Sequence, residues 1–142
     1  MNGFLLDTMV VSEGTKSRPN RGLSSWLAEV DENSTYISVF TIGELQKGIA
    51  RLDPRLPRRA DLDRWLTFEL IGRFGRRILA FDTNVARHWG AMLASALDRG
   101  AMLSVVDSQI AATASLHRLK VVTRNERHFA PTGVGTFNPW SS

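Results

Sequence analysis

The sequence predicts an α/β fold: a central, mainly parallel sheet of four to five strands flanked by helices, in a single domain over residues 1–142. Three observations predict it. Short apolar runs rich in β-forming residues recur along the chain. The stretches between them carry apolar residues at three- and four-residue spacing, and strands alternating with helices build parallel sheets. No repeat, low-complexity segment or long linker divides the chain.

Taken in order, Gly3-Phe4-Leu5-Leu6 is the first strand, apolar enough for burial on both faces, and Asp7 follows where it stops. Val10 to Glu13 predicts a helical turn before a loop through Gly14, Pro19 and Gly22. From Asn20 to Val30, the residues Leu23, Trp26, Leu27 and Val30 form a helical stripe. Thr35 to Val39 is the second strand. A helix over about Phe40 to Leu52 carries Ile42, Leu45, Ile49 and Leu52 on one face and ends before Pro54 and Pro57. Leu62, Trp65, Leu66, Leu70 and Phe74 predict a helix over Arg58 to Phe74, with Gly72 and Gly75 at its far end. Ile78 to Phe81 is the third strand, and Asp82 is placed to cap a helix that stops at Gly100. Ser104 to Leu119 is a further helix, whose small residues Ala111, Ala112, Ala114 and Ser115 permit close approach to a sheet. Val121 to Thr123 and Val134 to Phe137 are the fourth and fifth strands.

A chain of this length buries enough surface to fold without a covalent staple. With no cysteine it has no cysteine-ligated zinc, iron–sulfur or thiol chemistry, and it suits a reducing compartment, so a cytoplasmic protein is expected. Asp7 interrupts the first apolar stretch and no basic residue precedes it, unlike a secretory signal. No window approaches the ~20 apolar residues of a membrane span.

Charge is distributed unevenly. Eight arginines and four acids lie between Arg51 and Arg77, an excess equal to the whole net charge of +4. The segment is either a solvated helix laced with local ion pairs or a face for a polyanion or acidic partner.

Ligands of open parallel sheets bind beyond the carboxyl ends of the strands. The first strand leads into Asp7 and Thr8, the second into Ser38 and the helix bearing Glu44, the third into Asp82, and the fourth into Thr123, Arg124 and Asn125. Asp107 opens the helix before the fourth strand. Singly, each acid fits a helix cap: Asp7 and Asp82 as capping residues, Ser104 with Asp107 and Thr41 with Glu44 as capping boxes. Gathered at one edge, three carboxylates repel and raise at least one pKa unless a cation neutralises them. An all-oxygen set suits Mg²⁺ or Mn²⁺.

The stretches Leu5-Leu6-Asp7-Thr8-Met9-Val10-Val11-Ser12-Glu13, Thr41-Ile42-Gly43-Glu44-Leu45-Gln46-Lys47-Gly48-Ile49, Val106-Asp107-Ser108-Gln109-Ile110-Ala111-Ala112-Thr113-Ala114 and Val122-Thr123-Arg124-Asn125 resemble the successive motifs of PIN-domain ribonucleases. The pattern is most similar to the VapC-type toxins, in particular a FitB-like branch whose carboxyl-terminal Phe-Asn-Pro-Trp resembles Phe137 to Trp140. The resemblance covers essentially the whole chain in order and spacing. It implies a PIN-like fold and a metal-dependent endoribonuclease, the toxin of a type II toxin–antitoxin pair, with RNA as substrate. A cognate antitoxin, commonly a ribbon-helix-helix protein, is implied as inhibitor. So are a homodimer or larger assembly and contact with DNA through the antitoxin alone.

Residue by residue, Asp7, Glu44 and Asp107 match the family's acidic positions and are the implied metal ligands for Mg²⁺ or Mn²⁺. Asn125 completes the implied catalytic set where some members carry a fourth acid, and Thr123 and Arg124 are placed to position substrate. Met9 stands where Asn is frequent and His128 where many relatives carry Asp. These departures motivate an alternative, a catalytically weakened module acting by RNA or antitoxin binding. His128 is expected to be a surface or packing residue, with proton donation as its alternative role; His88 and His117 are expected to be structural. A haloacid-dehalogenase-like phosphotransfer reading asks for a second Asp two residues after Asp7, where Met9 stands instead.

Overall fold

Strand β1 (Gly3–Leu6) lies at the centre of a five-stranded, all-parallel sheet of order β3-β2-β1-β4-β5. This is seen in a computed structural model that describes residues 3–141. Helix α1 (Thr8–Glu13) follows β1 directly, then α2 (Arg21–Glu29), β2 (Thr35–Ser38) and α3 (Val39–Ala50). Next come α4 (Pro57–Arg64), a π-helical stretch Trp65–Ile71 and the short α5 (Gly72–Phe74), which leads through a 3₁₀ turn to β3 (Ile78–Leu79). The chain ends with α6 (Thr83–Asp98), α7 (Val105–Leu116), β4 (Leu119–Val122), α8 (Glu126–Phe129) and β5 (Thr136–Phe137).

The pleat sorts the core into two layers, because successive strand residues face opposite sides of a sheet. Leu6, Ile37 and Val122 face Val10 and Val11 of α1, Leu23 of α2, Ile49 of α3, and Leu66 and Leu70 of the π-helical stretch. Leu5 and Val121 face the opposite layer, built from Ile110, Ala111 and Ala114 of α7 and Phe129 of α8. The buried alanines of α7 let that helix lie close to the strands, as its composition predicts. Trp89 of α6 donates its indole N–H to the Ser108 hydroxyl at 2.9 Å, joining α6 to α7 without an orphaned polar group.

Several boundaries depart from the sequence reading for identifiable reasons. Val39 belongs to α3 and not to β2, because the Ser38 hydroxyl caps that helix by accepting from Phe40 N–H at 3.0 Å. Thr41 is therefore a fully buried residue inside α3, and its expected capping box with Glu44 is not formed. Pro57 opens α4, where its missing N–H costs nothing. The helix expected over Arg58 to Phe74 contains the π-helical stretch instead of running as one regular α-helix. β3 keeps only Ile78 and Leu79. Helix α7 stops at Leu116 because Arg118 turns the chain at a left-handed φ of 57°, which frees Leu119 to begin β4, a strand that ends at Val122. β5 is reduced to Thr136 and Phe137, and α8 had no expected counterpart.

Half of the arginines in the basic segment are paired with acids. Arg55 pairs with Asp53, Arg64 with Asp61, and Arg73 and Arg77 with Glu32. Arg77 also donates to the carbonyls of Glu32 (2.7 Å) and Thr35 (2.9 Å), which fastens the start of β3 beside β2. The segment's arginines outside these pairs are Arg51, Arg58, Arg59 and Arg76.

Candidate active site

Strands β1 and β4 end side by side, where the Asp7 N–H donates to the Val122 carbonyl at 3.0 Å. From these ends α1 packs against one layer of the core and α8 against the other. The strand ends therefore open a crevice of the kind that binds ligands in doubly wound sheets.

Asp7 is the most constrained group there. It is 7% exposed, it caps α1 by accepting from Thr8 N–H at 2.8 Å, and its other carboxylate oxygen accepts from the buried Thr123 hydroxyl at 2.9 Å. Thr123 in turn accepts from Asn125 N–H at 3.0 Å. The cap and the cross-strand bond are compatible because a carboxylate has two oxygens, so its capping role does not exclude a site role.

Glu44 reaches the same edge from α3. It accepts from the Thr8 hydroxyl at 2.5 Å. The Thr8 and Thr41 hydroxyls are 3.1 Å apart. With its single proton given to Glu44, Thr8 must accept from Thr41. Asp107 sits in the first turn of α7, where its N–H donates to the Ser104 hydroxyl at 3.2 Å, and its carboxylate faces His128 Nδ1 at 3.8 Å. The Asn125 amide donates to the Met9 sulfur at 3.0 Å.

Burial pushes the Asp7 carboxyl above its ordinary value; the Thr123 and Thr8 hydrogen bonds oppose the rise, while Asp107 and Glu44 add to it by repulsion. Asp107 is also raised, first by burial, with His128 opposing and Glu44 contributing. Three acids thus feel one another, and a divalent cation would relieve both the burial cost and the repulsion. The donors fit a hard, oxygen-preferring ion such as Mg²⁺ or Mn²⁺. They are not drawn into a ready chelate: among the described residues no three His, Asp or Glu side chains form a metal-holding group, and Glu44 is turned to Thr8.

The PIN domain family model matches residues 4–133. The chain is 33% identical to VapC ribonuclease Y4jK of Sinorhizobium fredii over 96% of its own length and 97% of the relative's. It is 35% identical to Toxin FitB of Neisseria gonorrhoeae, over 96% and 98%. The protein belongs to the PIN-domain family, on its VapC and FitB branch. The fold agrees: the crystal structure of FitAcB from Neisseria gonorrhoeae superposes with a TM-score of 0.91 at 34% identity, covering 98% of this chain and 99% of that one. A structure of FitAB bound to an IR36 DNA fragment matches equally, with a TM-score of 0.91 at 32% identity.

In this PIN domain Asp7, Asp107, Thr123 and Asn125 gather at the crevice, and Glu44 couples electrostatically to both aspartates. Arg124 lies with its guanidinium 6.0 Å from the centroid of the Trp140 ring. Asp82 accepts from Val85 N–H at 3.0 Å and serves as the cap of α6. His88 is bonded to Ser115 at 3.0 Å, in keeping with a structural role, whereas exposed His128 faces Asp107. Sequence reasoning missed Thr8 as the partner of Glu44 and Thr41 as the residue that supports Thr8. The available signal was that Thr41 precedes Glu44 by three residues and so shares its helix face. A cavity of about 530 Å³ lies elsewhere: Leu6, Val10, Leu27, Trp65, Leu70 and Phe74 are among its lining, and none of the three carboxylates is.

Proposed function

We propose that this PIN domain is a Mg²⁺- or Mn²⁺-dependent endoribonuclease, the cytoplasmic toxin of a type II toxin–antitoxin pair, restrained by a cognate antitoxin. The observation that carries the reading is buried Asp7, pushed toward protonation and repelled by both Asp107 and Glu44. Such a carboxylate is costly for stability alone and useful for holding a cation. The similarity to proteins named as a VapC ribonuclease and a toxin supplies the substrate class.

Asp7 and Asp107 would hold the ion, with Glu44 as third ligand or as the group that orients the attacking water. When bound, the ion supplies Lewis-acid stabilisation of phosphate charge and acidifies water. The chain's own contributions are separable. Thr123 fixes the rotamer of Asp7 through its hydroxyl proton, and Thr8 fixes Glu44 while leaving that residue's second oxygen free to accept from water. Asn125, held by its N–H to Thr123, orients water or a phosphate oxygen, and Arg124 carries the positive charge for the phosphate.

For the antitoxin, the cavity lined by Leu27, Trp65 and Phe74 offers an apolar seat, and the similarity to FitAB bound to DNA supports DNA contact through that partner. A homodimer has apolar surface available at Phe68, Leu97, Met102 and Val105, which are 59–94% exposed, whereas Trp26 and Trp65 are half-buried in the core. The second reading, binding without cleavage, draws on the Asn125 amide being engaged by Met9.

The test is cleavage of a structured RNA by the purified chain in Mn²⁺ or Mg²⁺. Wild type should cleave and stop on chelation, and Asp7→Asn should lose most activity. Near wild-type cleavage by that variant would overturn the assignment.

A further inference from the structure

The segment after β5 is fastened to the start of α2. Asn20, the cap of α2, donates its amide to the Ser141 carbonyl at 3.1 Å and accepts from Ser141 N–H at 3.0 Å and from its hydroxyl at 3.3 Å. Gly22 N–H donates to the same hydroxyl at 3.1 Å. Glycine is required there, because a Cβ would stand 2.5 Å from both the Pro139 carbonyl oxygen and the Ser141 nitrogen. Asn20 is itself tied by its N–H to Glu13 at 2.9 Å, at the far end of the helix that Asp7 opens.

This fastening fixes Trp140. The indole is partly buried against the core layer that contains Leu6 and Val122, and Arg124 lies over its ring. Arg124 is exposed, it directly follows the threonine bonded to Asp7, and it has no ion pair or side-chain hydrogen bond among the described residues. An exposed guanidinium without a hydrogen bond among the described residues thus stands 6.0 Å from an anchored aromatic ring, and the Glu13 carboxylate, held below its ordinary range first by Lys16 and more weakly by Arg124, also feels its charge. Holding a long side chain in advance reduces the conformational entropy it loses on binding, and a planar guanidinium matches two phosphate oxygens.

We propose that the tail Asn138 to Ser141 is a positioning device for substrate: Trp140 holds Arg124 so that its guanidinium takes a phosphate of the RNA strand beside the bond to be cut. This rests on the ribonuclease reading above. Trp140 acts through Arg124, so the two should behave as one unit.

The test uses the full chain carrying Asp7→Asn, so that the probe survives, and a fluorescein-labelled RNA of about 20 nucleotides and mixed sequence, with anisotropy recorded across a range of KCl. Arg124→Ala and Trp140→Ala should each weaken binding on the order of tenfold. Each should lower the slope of log affinity against log salt by about 0.7, the value for one phosphate contact on a single strand. The double variant should be no worse than either single, and Trp140→Phe should retain affinity within about twofold. Gly22→Ala displaces the tail without removing the indole and should reproduce the loss, which guards against Trp140→Ala simply unfolding. In otherwise wild-type chains that keep Asp7, cleavage kinetics should show the losses in KM and not in kcat.

Unchanged affinity and salt slope in Arg124→Ala, or losses from Arg124→Ala and Trp140→Ala that add, would overturn the proposal. Cleavage by wild type with unchanged binding by Arg124→Ala overturns the subsite and spares the nuclease reading. No cleavage by wild type, with affinity still lost in these variants, overturns the nuclease reading and supports the subsite.

Discussion

Replacing Thr123 by valine removes one hydroxyl and almost no volume from a fully buried position, so the change isolates a hydrogen bond. That hydroxyl donates to Asp7 at 2.9 Å and accepts from Asn125 N–H at 3.0 Å. A hydrogen bond to a charged group contributes about 1.5–3 kcal/mol, and the Asn125 N–H, at a partly exposed turn, recovers water at the cost of a few tenths. The expected destabilisation in metal-free buffer at pH 7 is about 2–3 kcal/mol, or a fall in Tm of roughly 6–12 °C for a domain of this size. The pH dependence separates this account from a generic packing defect. Once Asp7 is protonated the lost bond is a neutral one, worth about 0.5–1.5 kcal/mol, so the penalty should shrink on acidification. Urea denaturation of both proteins from pH 7 downward measures it. A penalty below about 0.5 kcal/mol, or one independent of pH, would refute the Thr123–Asp7 coupling.

Three further outcomes follow. Asp7 and Asp107 hold their protons to higher pH when folded than when unfolded, so the stability they contribute is fully present below the ordinary value of 3.8 and lost as pH rises through the folded pKa. Asp7→Asn should therefore raise metal-free Tm at pH 7, flatten its dependence on pH, and abolish the rise with Mn²⁺ that wild type should show, worth roughly 2.7 kcal/mol at 100 times the dissociation constant. Arg118→Gly should stabilise the fold by about 1 kcal/mol in urea denaturation, because a left-handed φ of 57° strains a side chain and not glycine. Arg77→Ala should cost about 2–3 kcal/mol by the same measurement, since it strips donors from the carbonyls of Glu32 and Thr35 at the edge of β2.

The pattern of elements was legible because hydrophobic period and capping residues act locally. Gly3 to Leu6, the stripe of α2, the small residues of α7 and the Asp82 cap all appear where the sequence places them. What escaped was decided at longer range or by a single torsion. The end of α7 depends on Arg118 adopting a conformation that glycine or asparagine usually marks, so no sequence signal separated Leu119 from the helix. Ser38 and not Thr41 caps α3, a choice between two hydroxyl residues three positions apart that only the strand end resolves. The strand order and the π-helical stretch carry no local signature. For the candidate site, motifs pointed to the three acids, which the fold brings near one another. The bond from Thr123 to Asp7, across 116 residues of chain, and the Thr41–Thr8–Glu44 relay are products of strand pairing and helix placement. Composition left the arginine-rich segment open between local ion pairs and a binding face; four of its eight arginines are paired with acids, and one of those four stitches β3 to β2, which only the fold reveals.

The central claim is that Asp7, Glu44 and Asp107 together hold a divalent cation at the ends of β1 and β4. Its most direct measurement is the binding of Mn²⁺ to the purified chain, followed by the loss of the free-ion electron paramagnetic resonance signal. Wild type should show saturable binding that Mg²⁺ competes away and that Asp7→Asn and Asp107→Asn each abolish. Mn²⁺ binding of equal strength in wild type and in both variants would contradict the claim.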